Sequence, residues 1–163
     1  MTSGHQPSGT PTIGVLNGPN LNLLGSREPE LYGTGTLADV ADLCAATAAE
    51  LGFGVDFRQT NHEGVLVDQV HELRGRVSGL VVNAAAYTHT SVALRDALAA
   101  VDVPVVEVHL TNVHAREAFR HRSLISDVVC AVIAGCGPAG YGYAIRHAAS
   151  RVPDGRESHV GAG

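Results

Sequence analysis

The chain has 163 residues, 45% of them hydrophobic, with a net charge of -5 and a pI near 5.9, which suits one globular domain spanning residues 1–163 with its core over about 12–150. Four Tyr, three Phe and no Trp, with no basic stripe, argue against a nucleic-acid partner. No apolar run approaches the ~20 residues of a membrane span, and the opening MTSGHQPSGTPT lacks the basic and apolar regions of a secretion signal, so a cytoplasmic protein is expected. All eleven basic residues are arginine, which removes Schiff-base, pyridoxal-phosphate and P-loop chemistry that depends on a lysine amine.

In chain order, Ile13 to Leu16 forms the first strand candidate, followed by the long polar loop LNGPNLNLLGSREPELYG. Thr36 with Asp39 reads as a capping box for a helix bearing Leu37, Val40, Leu43, Cys44 and Leu51 on one face. Val55 to Arg58 is the second strand, and Asn61 is expected to cap a helix bearing Leu66, Val70 and Leu73. Gly79 to Ala84 is the third strand, with Ser91 capping a helix bearing Leu94, Leu98 and Val101. Val105 to Leu110 and Val128 to Ala134 complete the strands, and Pro138 stands at the first position of a last helix that bears Ile145. The near-continuous apolar strands and the alternation of strand and helix predict an α/β fold. Its expected form is a flavodoxin-like doubly wound five-stranded parallel sheet in three α/β/α layers. The Gly/Ser/Pro-rich stretches before Pro11 and after Arg151 are expected to be mobile tails.

Ligands in such sheets bind beyond the carboxyl ends of the strands. Polar residues with acid–base capacity crowd those ends: the opening loop, QTNHEG, NAAAYTHTS and EVHLTNVHARE. Two other patterns carry less. GCGPAG at 135–140 matches a dinucleotide fingerprint but has no βαβ unit beyond it, and Glu157 lies in no strand, so a tight strand-to-helix turn is expected. The nine histidines show no recognised metal-ligand spacing, and Cys44, Cys130 and Cys136 are expected to be reduced, small, buried residues; no metal site is expected.

Glu107 and His109 are two apart on a strand and point to one face, either as a structural pair or as a proton donor with its positioning carboxylate. Arg116 and Arg120 are four apart and would share a helix face, either solvated or clamping an anion. The start of that helix and the N–H groups near Leu110 and Thr111 suit a carboxylate. A tyrosine ordinarily has a pKa of about 10, so Tyr32 could act as a base only if cations stabilised its phenolate by roughly 4 kcal/mol. Arg27 in the same loop and Arg116 could do so, over a loop long enough to close as a lid, with Asn20 nearby.

LNGPNLNLLGSREPELYG, QTNHEG, YTHTSVALRDAL and EVHLTNVHAREAFRHRS resemble, in order and spacing, the type II 3-dehydroquinate dehydratases, over about Thr12 to Ala149. The resemblance implies a flavodoxin-like fold and the anti elimination of water from 3-dehydroquinate through an enolate to give 3-dehydroshikimate, without metal or organic cofactor. The setting is the shikimate pathway to aromatic amino acids or quinate catabolism. By position, the resemblance makes Tyr32 the base, Arg27 its lid arginine, Asn20 the holder of a water near the enolate oxygen, and His109 the general acid backed by Glu107. It assigns substrate hydroxyls to Asn83, His89 and Arg120 and the substrate carboxylate to the backbone at Leu110 and Thr111. Asp96 matches a residue that reaches a neighbouring subunit's site, in homo-dodecamers built from trimers. Ala84 and Ala85 depart from the pattern, because the family usually has a glycine within the two positions after the equivalent of Asn83; if that glycine takes a positive φ, alanine is strained there. A flavodoxin-fold module binding a nucleotide or flavin, and an inactive structural oligomer, are the alternative readings.

Overall fold

The computed structural model describes residues 9–26 and 28–153. Arg27 lies outside the described residues, as do residues 1–8 and 154–163, Glu157 among them, which make up most of the tails expected before Pro11 and after Arg151. Five parallel strands, β1 (Thr12–Asn17), β2 (Gly54–Gln59), β3 (Gly79–Asn83), β4 (Val105–His109) and β5 (Ala131–Ala134), form one sheet in the order β2-β1-β3-β4-β5. Sequence-adjacent strands neighbour one another except where the chain crosses from β2 over β1 to β3. The doubly wound α/β architecture expected from the sequence is therefore the one adopted.

Strand side chains alternate between two cores. Ile13, Val15, Val81, Val106 and Val108 pack with α2 (Leu37–Glu50) and α5 (Ala139–Ser150), whereas Leu16, Leu80, Val82 and Val105 pack with α3 (Glu63–Leu73) and α4 (Val92–Ala99). The capping box of α2 is present: Asp39 N–H donates to Thr36 Oγ1 at 3.2 Å, and Thr36 N–H to Asp39 Oδ2 at 2.7 Å. Ser91 Oγ accepts the Leu94 N–H at 2.9 Å at the start of α4. A short helix, α1 (Pro29–Tyr32), interrupts the long loop after β1.

Several local expectations are corrected. Asn61 does not cap α3; His62 stands at that position, while Asn61 Oδ1 accepts from the Asn20 N–H and from Gln59 Nε2. Leu51 follows α2 and is exposed, and Val101 lies beyond the end of α4. The last strand starts at Ala131, because Ser126–Val128 turns as a 3-10 helix. Pro138 precedes α5 by one residue. Of the cysteines expected to be buried, only Cys44 is; Cys130 and Cys136 are exposed. GCGPAG forms the expected β5–α5 turn, with Gly135 and Gly137 at φ of 85° and 59°.

Candidate active site

A cavity opens at the carboxyl ends of β3 and β4. It is lined by Tyr32, Asn83, His89 and His109, and by Leu110, Thr111, Arg116 and Arg120. None of its described lining residues is acidic, so two guanidinium groups and two imidazoles face a site without a negative charge of its own.

His109 ends β4, and Glu107 lies two residues earlier on the same face. Both side chains are buried, and Glu107 Oε1 sits 2.6 Å from His109 Nε2. A carboxylate there can only accept, so Nε2 donates to it and the contact fixes the orientation of the ring. Glu107 does not line the cavity; it lies behind His109, and its second oxygen accepts from Ser123 Oγ at 3.0 Å. Sequence reasoning missed Ser123, whose only signal is a hydroxyl in the polar run after Arg122. His89 Nδ1 donates to the Arg122 carbonyl at 2.7 Å, and its ring stacks on His109 with centroids 6.3 Å apart.

Tyr32 closes α1, with Pro29 at the first helical position and Gly33 ending the helix at φ 77°. Arg116 Nη1 donates to the Tyr32 hydroxyl oxygen at 2.9 Å and approaches Thr111 Oγ1 at 3.4 Å, while its Cζ lies 5.7 Å from the Tyr32 ring centroid. A guanidinium donating to a phenol oxygen is the contact that stabilises negative charge on that oxygen.

Arg116 and Arg120 do not share a helix face. The chain after Asn112 makes two 3-10 turns, Val113–Ala115 and Ala118–Arg120, with Arg116 extended between them. Both guanidiniums nevertheless line the cavity, because Glu117 holds them together: its Oε2 accepts Arg120 Nε at 2.8 Å and lies 3.7 Å from Arg116 Nε. Its own backbone N–H and then Arg120 hold the Glu117 carboxyl below the usual carboxylate range. The expected α-helix start for a carboxylate is therefore replaced by these short 3-10 turns, although Leu110 and Thr111 do reach the cavity.

Asn83 ends β3, and its Nδ2 donates to Tyr141 Oη at 2.8 Å. Ala85, where the sequence anticipated strain if φ turned positive, has φ 49°. Its N–H donates to Asn83 Oδ1 at 3.2 Å, and an L-residue pays about 1 kcal/mol or more for that backbone region. Asn20 is exposed at φ 67° in the loop after β1 and does not line the cavity. Asp96, exposed on α4, pairs with Arg95 at 3.1 Å and is likewise absent from the lining. Among the described residues, no three His, Cys, Asp or Glu side chains cluster as metal ligands would, and no helix is long and apolar enough to cross a membrane.

A family model described as dehydroquinase class II matches residues 11–149. The 3-dehydroquinate dehydratase 2 of Pseudomonas aeruginosa is 65% identical over 142 residues, covering 87% of this chain and 96% of that protein. The catabolic 3-dehydroquinase 2 of Aspergillus flavus is 59% identical over 138 residues, covering 85% and 92%. The crystal structure of the type II dehydroquinase from Propionibacterium acnes superposes with a TM-score of 0.83 at 42% identity, covering 86% of this chain and 97% of that one. A match running from the first strand through the last helix, together with a solved relative of the same fold, establishes that the chain belongs to the dehydroquinase class II family.

Proposed function

We propose that the chain dehydrates 3-dehydroquinate to 3-dehydroshikimate by anti elimination through an enolate. The observation that carries this is the pairing, in one cavity, of a phenol oxygen held by Arg116 with an imidazole held by the buried Glu107. The substrate is a β-hydroxy ketone bearing a carboxylate. Tyr32, as phenolate, takes the proton next to the ketone, and the C–H electron pair moves into an enolate. The enolate then reforms the ketone as the β hydroxyl departs. His109 gives that hydroxyl a proton, so water leaves and a conjugated double bond remains. Each acid or base contributes about 10² to 10⁴ in rate, and fixed donors to the enolate oxygen contribute comparably.

Arg27 belongs to this reading as a second cation that stabilises the Tyr32 phenolate, and Asn20 as the holder of a water at the enolate oxygen. Asn83, His89 and Arg120 receive the substrate hydroxyls, and Leu110 and Thr111 receive its carboxylate. Redox-neutral proton transfer beside a ketone needs no metal and no organic cofactor. Asp96 serves a neighbouring copy in a cytoplasmic dodecamer built from trimers; sedimentation should find twelve copies of the 16.9 kDa chain, and a monomer contradicts that assembly. The pathway is the shikimate route or quinate catabolism. The direct test is ultraviolet absorbance of the conjugated product when purified chain meets 3-dehydroquinate with a chelator present. Turnover is expected; no absorbance change at high enzyme concentration overturns the proposal.

A further inference from the structure

Behind the cavity, a buried chain of hydrogen bonds runs through four elements to Asn83. Tyr141, the third residue of α5, is fully buried in the core formed with α2. Asn17 Nδ2 donates to the Arg58 main-chain carbonyl at 2.9 Å. Tyr141 Oη donates to Asn17 Oδ1 at 2.7 Å and accepts from Asn83 Nδ2 at 2.8 Å. Asn83 Oδ1 accepts the Ala85 N–H at 3.2 Å.

Both ends of this chain are main-chain atoms of fixed polarity. The Arg58 carbonyl can only accept, so Asn17 must turn its amide nitrogen to it and its oxygen to Tyr141. Tyr141 must then donate to Asn17, which leaves its oxygen to accept from Asn83. The Ala85 N–H can only donate, so Asn83 must turn its oxygen to it. Asn83 cannot flip without losing two bonds, and Asn17 cannot flip without losing its bond to the Arg58 carbonyl. Burial pushes the Tyr141 phenol up from its ordinary range, which keeps the hydroxyl a donor. Asn83 retains one N–H and one lone pair, and it lines the cavity.

We propose that Tyr141 is a positioning residue for the reaction: through its hydroxyl, the polarity of the β2 main chain is carried to Asn83 and fixes which amide atom Asn83 offers to the substrate. The same chain holds the turn at Ala85, where the backbone adopts a positive φ. The catalytic consequence rests on the dehydration proposed above; the fixed amide orientation does not.

The test is a double-mutant cycle of Tyr141→Phe with Asn83→Ala, read as kcat/KM, together with nuclear magnetic resonance of the Asn83 side-chain amide protons. Tyr141→Phe is expected to lower kcat/KM about tenfold in the native background, from loss of one buried hydrogen bond, and less than twofold when Asn83 is already alanine. Exchange of the Asn83 amide protons with solvent is expected to be slow in the native chain and at least tenfold faster in Tyr141→Phe. Ile145→Val, a core change on the same helix, should leave both readouts unchanged. An equal loss in both backgrounds, or unchanged amide exchange, overturns the proposal. Should Tyr141→Phe fail to fold, Asn17→Ala breaks the same chain one link away and is read in the same way. If the native chain does not turn over 3-dehydroquinate, the dehydratase reading fails, and amide exchange alone decides the relay.

Discussion

Replacing Glu107 with glutamine isolates what a buried carboxylate contributes to the imidazole in front of it. The side chain keeps its size, and its oxygen can still accept from Ser123, which donates to Glu107 Oε2 at 3.0 Å in the native chain. What is lost is a negative charge 2.6 Å from His109 Nε2, with Glu107 1% and His109 6% exposed. With charge centres about 4 Å apart and an effective dielectric near 20, that charge is worth roughly 4 kcal/mol to an imidazolium. A dipolar amide recovers part of this, leaving a net loss of about 3 kcal/mol, or ~10² in rate. The effect should fall on kcat, because His109 acts as an acid only as the hydroxyl leaves. KM should stay within about threefold of native. Steady-state kinetics on the conjugated product, with urea denaturation as a folding control, measure both. A kcat within threefold of native would refute the reasoning and make Glu107 a packing residue.

Arg116→Lys keeps a positive charge but loses the planar guanidinium whose Nη1 donates to Tyr32 while its Nε faces Glu117; kcat should fall at least ~30-fold, and near-native turnover would show that charge alone suffices. Ala85→Gly removes the positive-φ penalty at φ 49° but frees the unfolded chain, for a net gain of about 0.5 kcal/mol seen as a slightly higher urea midpoint. A lower midpoint would mean that the turn is not strained. Burial pushes the Cys44 thiol up from 9.0 to about 12. The unfolded state therefore loses this proton first as pH rises, and the stability held below pH 9 declines above it. At pH 10 the loss is about 1.4 kcal/mol, and it should be absent in Cys44→Ala; equal pH dependence in both proteins would contradict the burial argument.

The fold was legible because its signals are local and repeated. Apolar runs such as Gly79 to Ala84 mark strands covered on both faces, and Thr36 with Asp39 marks a helix start. The Glu107–His109 pair was legible because a strand's period of two fixes its geometry in advance. Arg116 and Arg120 were brought to one cavity by a different backbone from the expected one: helical spacing suggested a shared face, whereas two 3-10 turns and the Glu117 bridge deliver them. Asn61 had the composition of a cap, but contacts with Asn20 and Gln59, distant or adjacent in sequence, claim its oxygen instead. The Asn17–Tyr141–Asn83 relay joins residues up to 124 positions apart, and no spacing rule connects them. In the apolar setting of α5, Tyr141 reads only as core. Ala85 departs from a glycine pattern, and its φ of 49° gives that departure its physical meaning.

The central claim is that the Tyr32 oxygen, held by Arg116, is the base. It is tested most directly by Tyr32→Phe, which removes that oxygen and leaves the ring in place. With 3-dehydroquinate binding measured by calorimetry and turnover by absorbance, binding is predicted to stay within a few-fold of native while kcat falls by ~10² or more. A variant that keeps a tenth of native kcat would contradict the account.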